Sequence, residues 1–237
     1  MNFTHSNQTT VRIWDLPTRL FHWLLAVCVI GAIVTAKIGG LWMEWHVKLG
    51  ITALCLIIFR LIWGLVGSRY ARFSHFVKGP WGILSYLKAA RAPNHATEAP
   101  GHNPIGGWSV MLMLGVIGAQ AFTGLFATDD IMIQGPLYAY VSNHTAETLT
   151  GIHHLISKAV IALIIVHVLA IFVYAMRGKR LVPPMLTGDV SLKILPPNTP
   201  AARDDITIRL LALVLTLIIA ALGIWLWDLG NALPTSF

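Results

Sequence analysis

Charged residues are scarce in this chain of 237 residues. They make up 11% of the sequence, whereas hydrophobic residues make up 56%; an ordinary soluble domain carries about 25% charged residues. The mean hydropathy is +0.69. This composition excludes a disordered or collagen-like chain and predicts an integral membrane protein rather than a soluble enzyme. Membrane lipid is therefore the expected surrounding of the protein.

Cysteine is also rare. Cys28 and Cys55 both lie within apolar runs and provide no disulfide framework. The absence of a CxxCH motif excludes covalent attachment of a c-type haem. Carboxylates and thiolates do not cluster within the apolar stretches, which argues against a zinc or copper site. The net charge of +7 comes from basic residues that flank these stretches, so we interpret them as topology signals and expect no nucleic-acid partner.

Five stretches are long and apolar enough to cross a membrane as helices, since a bilayer core needs about 20 residues. They are predicted at residues 20–38, 47–67, 107–127, 151–176 and 207–227. The proline-containing stretches 93–104 and 183–200 are predicted to be irregular connections. We therefore predict one membrane domain (1–237). It comprises an N-terminal segment (1–19), a four-helix core (20–176), a connection (177–206) and a fifth helix (207–227).

Lysine and arginine are distributed unevenly among the connections. Most precede the first span or lie between spans two and three and between spans four and five, whereas the opposite side has only Lys37 and Lys48. The positive-inside rule therefore predicts a bacterial inner-membrane protein with a cytoplasmic N-terminus and a periplasmic C-terminus. The periplasmic side is acidic through Glu44, Asp129, Asp130, Glu147 and Asp228. Such a face favours a basic partner, for example a c-type cytochrome.

Five of the ten histidines lie within the spans or at their ends, where ionisable residues are costly and usually functional. His46 and His153 are predicted near the periplasmic face. His167 follows His153 by 14 residues, which is about 21 Å along a helix and reaches the depth of His22. Two layers, each with two histidines, predict two non-covalent haems b with bis-histidine ligation of the haem iron.

Helical periodicity separates His153 from its neighbour His154. Fourteen residues complete almost four turns, so His153 and His167 share one face of the fourth helix. His154 points elsewhere by the same reasoning. We therefore predict His153 as the iron ligand, with His154 as the alternative.

Three basic residues are candidates for the haem propionates. Arg60 follows His46 by 14 residues and is predicted to face the same way in the cytoplasmic layer. Arg19 is a second candidate in that layer, although it also fits a topology signal flanking the first span. Lys48 is the corresponding candidate for the periplasmic haem.

These histidines lie in recognisable motifs. They are RIWDLPTRLFHW around His22, WHVKLG around His46, and GIHHLISKAVIALIIVHVLA, which contains His153 and His167. Over about residues 11–177 the sequence resembles the bacterial cytochrome b561 family, which includes the b-type cytochrome subunits of nickel–iron hydrogenases. The resemblance implies an all-α membrane protein, with a four-helix haem-binding bundle and two haems b ligated by these four histidines. The fifth helix lies outside the resemblance.

The two predicted haem sites and the family resemblance favour electron transfer as the function. We expect a dihaem b-type cytochrome that carries electrons between the quinone pool and a periplasmic partner such as a c-type cytochrome. The cofactor carries the chemistry, so no catalytic side chain is assigned. One alternative is a membrane-anchor cytochrome subunit of a nickel–iron hydrogenase or a similar oxidoreductase. Another is a superoxide:quinone oxidoreductase, which the acidic periplasmic face disfavours because it repels an anion.

Overall fold

The computed structural model describes residues 9–90, 101–129, 133–192 and 199–232. In chain order the elements are β1 (Thr9–Arg12), α1 (Leu16–Ile38), α2 (Met43–Val66), α3 (Phe73–Phe76), α4 (Pro80–Ala90), α5 (Pro104–Gly124), α6 (Asn143–Met176), α7 (Val182–Thr187), β2 (Asp189–Leu192) and α8 (Ile206–Ala232), with short 3-10 turns at Gly40–Trp42 and Tyr138–Tyr140. Among these, α1, α2, α5, α6 and α8 are long and apolar enough to cross a membrane. The prediction of an all-α bundle with five spans is confirmed.

Capping residues explain why several helices begin before their apolar stretches. The Asp15 carboxylate accepts a hydrogen bond from the Thr18 amide at 2.7 Å and starts α1. Asn103 and Ser142 cap α5 and α6 in the same way. Each cap satisfies one of the free N–H groups of the first helical turn. Hydropathy detects only the apolar part of such helices, so each predicted span begins after the first residue of the observed helix. The predicted span 107–127 also ends three residues beyond α5.

The first four spanning helices form two hairpins, α1 with α2 and α5 with α6. Helix α2 is central, because it also contacts α5 of the other hairpin and the fifth spanning helix, α8. Helix α6 packs mainly on α5, and only 6% of its most apolar 18-residue window is buried. The face of α6 towards α1 and α2 is therefore sparsely covered by protein. That space is where the histidines of the spans meet.

The fifth spanning helix covers the side of α2. Helix α8 packs chiefly on α2 and touches α1 only slightly. Between these three helices runs an apolar groove with a volume of about 770 Å³. A buried hydrogen bond joins α2 to the start of α1. Trp63 of α2 is fully buried and donates to the Asp15 carboxylate at 3.2 Å.

A two-stranded antiparallel sheet closes one end of the bundle. Strand β1 pairs with β2, with Arg12 opposite Asp189. We call this end, marked by the two strands, the sheet end, and the opposite end, marked by the 3-10 turns, the far end. The prediction that residues 183–200 are irregular is wrong for α7 and β2, because the strand forms by pairing with a segment far away in the sequence. Residues 193–198, and most of 93–104, lie outside the described residues.

Asp204 joins the sheet end to α8 and α1. Its side chain is 5% exposed, and its carboxylate accepts hydrogen bonds from Arg12, Arg209 and the Leu16 amide. Burial alone would raise the pKa of Asp204, but the hydrogen bonds from Arg209, Leu16 and Arg12 hold this pKa below its usual range. This carboxylate therefore stays ionised and holds the segment before α8 against the start of α1.

Candidate haem site

At the far end, His46 of α2 faces His153 of α6. Their ring centroids are 6.0 Å apart, and the ring planes are inclined at 86°. Nδ1 of His46 lies 2.8 Å from the carbonyl oxygen of Ala32, and Nδ1 of His153 lies 3.0 Å from that of Gln120. When each Nδ1–H donates to its carbonyl, each ring keeps Nε2 for a metal.

At the sheet end, His22 of α1 faces His167 of α6. Their ring centroids are 6.4 Å apart and the ring planes are inclined at 47°. Nδ1 of His22 is buried and has no hydrogen-bond partner in the part of the chain that the structure describes. The structure therefore brings the four histidines together as two separate pairs.

Both separations fit a metal held between two rings. Two imidazole nitrogens that bind one metal from opposite sides, each about 2 Å away, place the ring centroids about 6 Å apart. Among the described residues, no group of three or more His, Cys, Asp or Glu side chains is placed to hold a metal ion. A pair of imidazoles would be enough to hold a haem, because its macrocycle would supply the remaining ligands of the iron.

His154 does not share the position of its neighbour. It is exposed on α6, with its ring centroid 6.2 Å from that of His153. The ring opposite His46 is therefore that of His153, in line with the face predicted from helical periodicity.

Two residues of α5 shape the pocket of the His153 ring. A Cβ atom at Gly124 would lie 3.0 Å from Cε1 of His153, so a larger residue there would press against the ring. The side-chain amide of Gln120 donates to Nε2 of His153 at 3.0 Å. Ligation of iron by this nitrogen requires the Gln120 amide to turn away. Neither contact is visible in the sequence as a motif.

Arg60 lies near the sheet end and is almost fully enclosed. It is 2% exposed, donates to the Ala71 carbonyl at 2.9 Å, and stacks over the rings of Phe73 and Phe76. Its second terminal nitrogen is buried and has no hydrogen-bond partner within the described ranges. A buried guanidinium with a free N–H group suits an anionic oxygen. The pairing of Arg60 with a haem propionate stays a prediction.

The other two predicted propionate partners already have contacts. Arg19 donates to the Leu186 carbonyl and lies 3.9 Å from the Asp204 carboxylate, at the sheet end. Lys48 pairs with Glu44 and lies over the Trp227 ring of α8. Two residues correspond to about 200° of helical rotation, which places Lys48 on the face of α2 opposite His46. The structure therefore does not bring Lys48 to the far-end histidines.

The comparison with protein families now decides the assignment. The family described as prokaryotic cytochrome b561 matches residues 13–188, which include all four paired histidines. The chain belongs to this family. It is a multi-pass membrane b-type cytochrome that functions in electron transfer. No curated protein and no solved structure matches the chain.

Helix α8 lies outside the part of this cytochrome b561 that the family covers. The family match covers residues 13–188, so helices α1 to α7 form the shared core. Both strands lie just outside the matched residues, β1 before them and β2 after them. The Asp204 carboxylate is the main polar link between that core and the additional helix. The sequence alone did not identify Asp204, because nothing near it in the sequence indicates that three arginines from separate segments lie around its carboxylate.

His102 of this cytochrome is expected to make stability pH-dependent. Its ring packs against Trp14 and Phe76, and burial, together with the charge of Arg60, lowers the pKa of His102 to about 4. The folded state then binds its proton less readily than the unfolded state. Stability from this residue is complete above pH 6.5 and falls as the pH drops from about 6.5 to about 4, by at most about 3 kcal/mol.

The change His102→Phe is expected to remove this part of the pH dependence while keeping the aromatic packing. Thermal unfolding of the wild type and the variant in detergent, at pH 7.5 and pH 4.5, measures the difference. The other histidines are present in both proteins. The contribution of His102 is therefore the difference between the stability that the wild type loses on acidification and the stability that the variant loses. An equal loss of stability in both on acidification would contradict the assignment.

Proposed function

We propose that this cytochrome b561 binds two haems b, one between His22 and His167 and the other between His46 and His153. It then carries electrons across the membrane between quinone and a periplasmic redox partner. The observation that carries the proposal is the pair of ring separations, 6.4 Å and 6.0 Å, each of which suits a metal between two imidazoles. Bound haem supplies the one-electron chemistry, and the chain supplies the ligands and their spacing.

Helices α1 and α6 share a small apolar groove, lined by Ile30, Ile33, Val34, Ile161, Ile164 and Ile165. These side chains offer no hydrogen-bonding group, so none of them can carry a proton along with an electron.

The far end supports a basic partner. The described acidic residues there are Glu44, Asp129, Glu147 and Asp228, against the basic residues Lys37 and Lys48. Lys48 and Glu44 pair with each other, which leaves three carboxylates against Lys37. With the orientation expected from the lysine and arginine distribution, this end faces the periplasm. We therefore propose a basic c-type cytochrome as the partner, attracted by complementary charge. Association is then expected to weaken as ionic strength rises.

Haem content tests this function. The protein is purified in detergent, and a reduced-minus-oxidised spectrum is recorded with a pyridine haemochrome count. We expect two haems b per chain. One haem would contradict the dihaem assignment, and no haem would overturn the proposal. Reduction by a quinol, followed by oxidation by a basic c-type cytochrome, then tests the two proposed partners, and co-purification with a hydrogenase would instead identify an anchor subunit.

A further inference from the structure

The two histidine pairs differ in the contacts of Nδ1, one of the two nitrogens of each ring. At the far end, Nδ1 of His46 lies 2.8 Å from the Ala32 oxygen, and Nδ1 of His153 lies 3.0 Å from the Gln120 oxygen. The Thr123 hydroxyl is also 3.3 Å from Nδ1 of His153. Both far-end rings therefore have a main-chain acceptor.

The sheet-end pair has no such support in the part of the chain that the structure describes. There, Nδ1 of His22 is buried without a hydrogen-bond partner, and no hydrogen bond of His167 is found. The contrast is between two rings that each donate to a carbonyl and two rings that do not.

The far-end acceptors arise in the same way in both hairpins. In α1, the Thr35 hydroxyl donates to the oxygens of Gly31 and Ala32, at 2.8 Å and 3.1 Å. In α5, the Thr123 hydroxyl donates to the oxygens of Ala119 and Gln120, at 2.9 Å and 3.0 Å. A threonine that bonds back to the preceding turn loosens the helix locally. A carbonyl oxygen has two lone pairs, so each also accepts from a histidine of the following helix.

We propose that these two carbonyls give the far-end site a lower reduction potential than the sheet-end site. The proposal rests on the haem ligation proposed above. Donation by Nδ1–H makes His46 and His153 stronger electron donors through Nε2, which favours ferric over ferrous iron. His22 and His167 lack this support. With haem bound at both sites, an electron would then be held more tightly between His22 and His167 than between His46 and His153, with no bond made or broken.

The ordering decides where an electron is held, whereas the direction of net transfer follows from the potentials of the two redox partners. With the far end in the periplasm, the sheet-end pair holds the electron more tightly, on the cytoplasmic side.

A glycine substitution tests the role of the Gln120 carbonyl. At Gly124 an added Cβ lies 3.3 Å from Nδ1 of His153, whereas at Gly115 of the same helix it meets nothing within 4 Å. Gly124→Ala is expected to press the ring away from Gln120 and to raise the lower of two midpoint potentials in a spectroscopic redox titration. Gly115→Ala is the matched control and is expected to leave both potentials unchanged.

Assignment of each potential to a site completes the test. His153→Ala leaves only the sheet-end pair, so its single potential is expected to match the higher wild-type value. If Gly124→Ala loses haem, this titration still decides the order. A match with the lower value, or a shift of the higher value in Gly124→Ala, would overturn the tuning. A wild-type protein with fewer than two haems would instead overturn the proposed function itself.

Discussion

Replacing His153 by alanine is expected to halve the haem content, from two haems b per chain to one. The His153 ring is the one that faces His46, with the two centroids 6.0 Å apart. Without His153, a far-end haem would be held by His46 alone, whereas the sheet-end pair is untouched. The pyridine haemochrome count, normalised to protein, measures the loss.

His154→Ala is the matched control for this variant. The neighbouring ring is exposed on α6 and is 6.2 Å from that of His153, so its removal is expected to leave both haems. The two variants differ only by one position on the same helix. Retention of both haems in His153→Ala, with loss in His154→Ala, would show that α6 is rotated by about 100° from the described arrangement.

Replacing Asp204 by asparagine is expected to destabilise the protein by about 2 kcal/mol. Breaking a buried ion pair costs about 3–5 kcal/mol, and the partial exposure of the arginines reduces that cost. The side chain of Asp204 is 5% exposed, against 31% for Arg12 and 43% for Arg209. Without the carboxylate these cations lose their shared partner, and α8 is held less firmly to the sheet end. Thermal unfolding in detergent measures the change.

Asp205→Asn provides the comparison at the next position. Asp205 is exposed and pairs with Arg203, while its carboxylate caps α8 by accepting from the Ile208 amide. Asparagine caps helices equally well, so little change in stability is expected. Equal effects of the two substitutions would contradict a special role for Asp204.

Acid provides a second test of Asp204. Because the folded-state pKa of this carboxyl lies below its ordinary value of 3.8, its contribution to stability is present above that pH and is lost as the pH falls below it. The Asp204→Asn variant is therefore expected to lose less stability than the wild type when the pH is lowered through this range.

The spans and the two histidine layers were predictable from the amino-acid order. Hydropathy and helical periodicity are local properties, and a membrane leaves the backbone few alternatives to a helix. The spacing of 14 residues between His153 and His167 therefore placed them on one face without knowledge of any neighbouring helix. The motifs around His22 and His46 led to the family that the comparison then confirmed.

What only the tertiary structure decided are contacts between groups that are distant in the sequence. The pairing of β1 with β2 and the gathering of arginines around Asp204 both join the N-terminal segment to residues far along the chain. The face that Lys48 presents to α8 depends on where that helix packs. The carbonyls of Ala32 and Gln120 are main-chain groups that every residue carries, so no pattern marks them as acceptors. Helix packing selects them, because it brings a histidine of one helix against one particular turn of another.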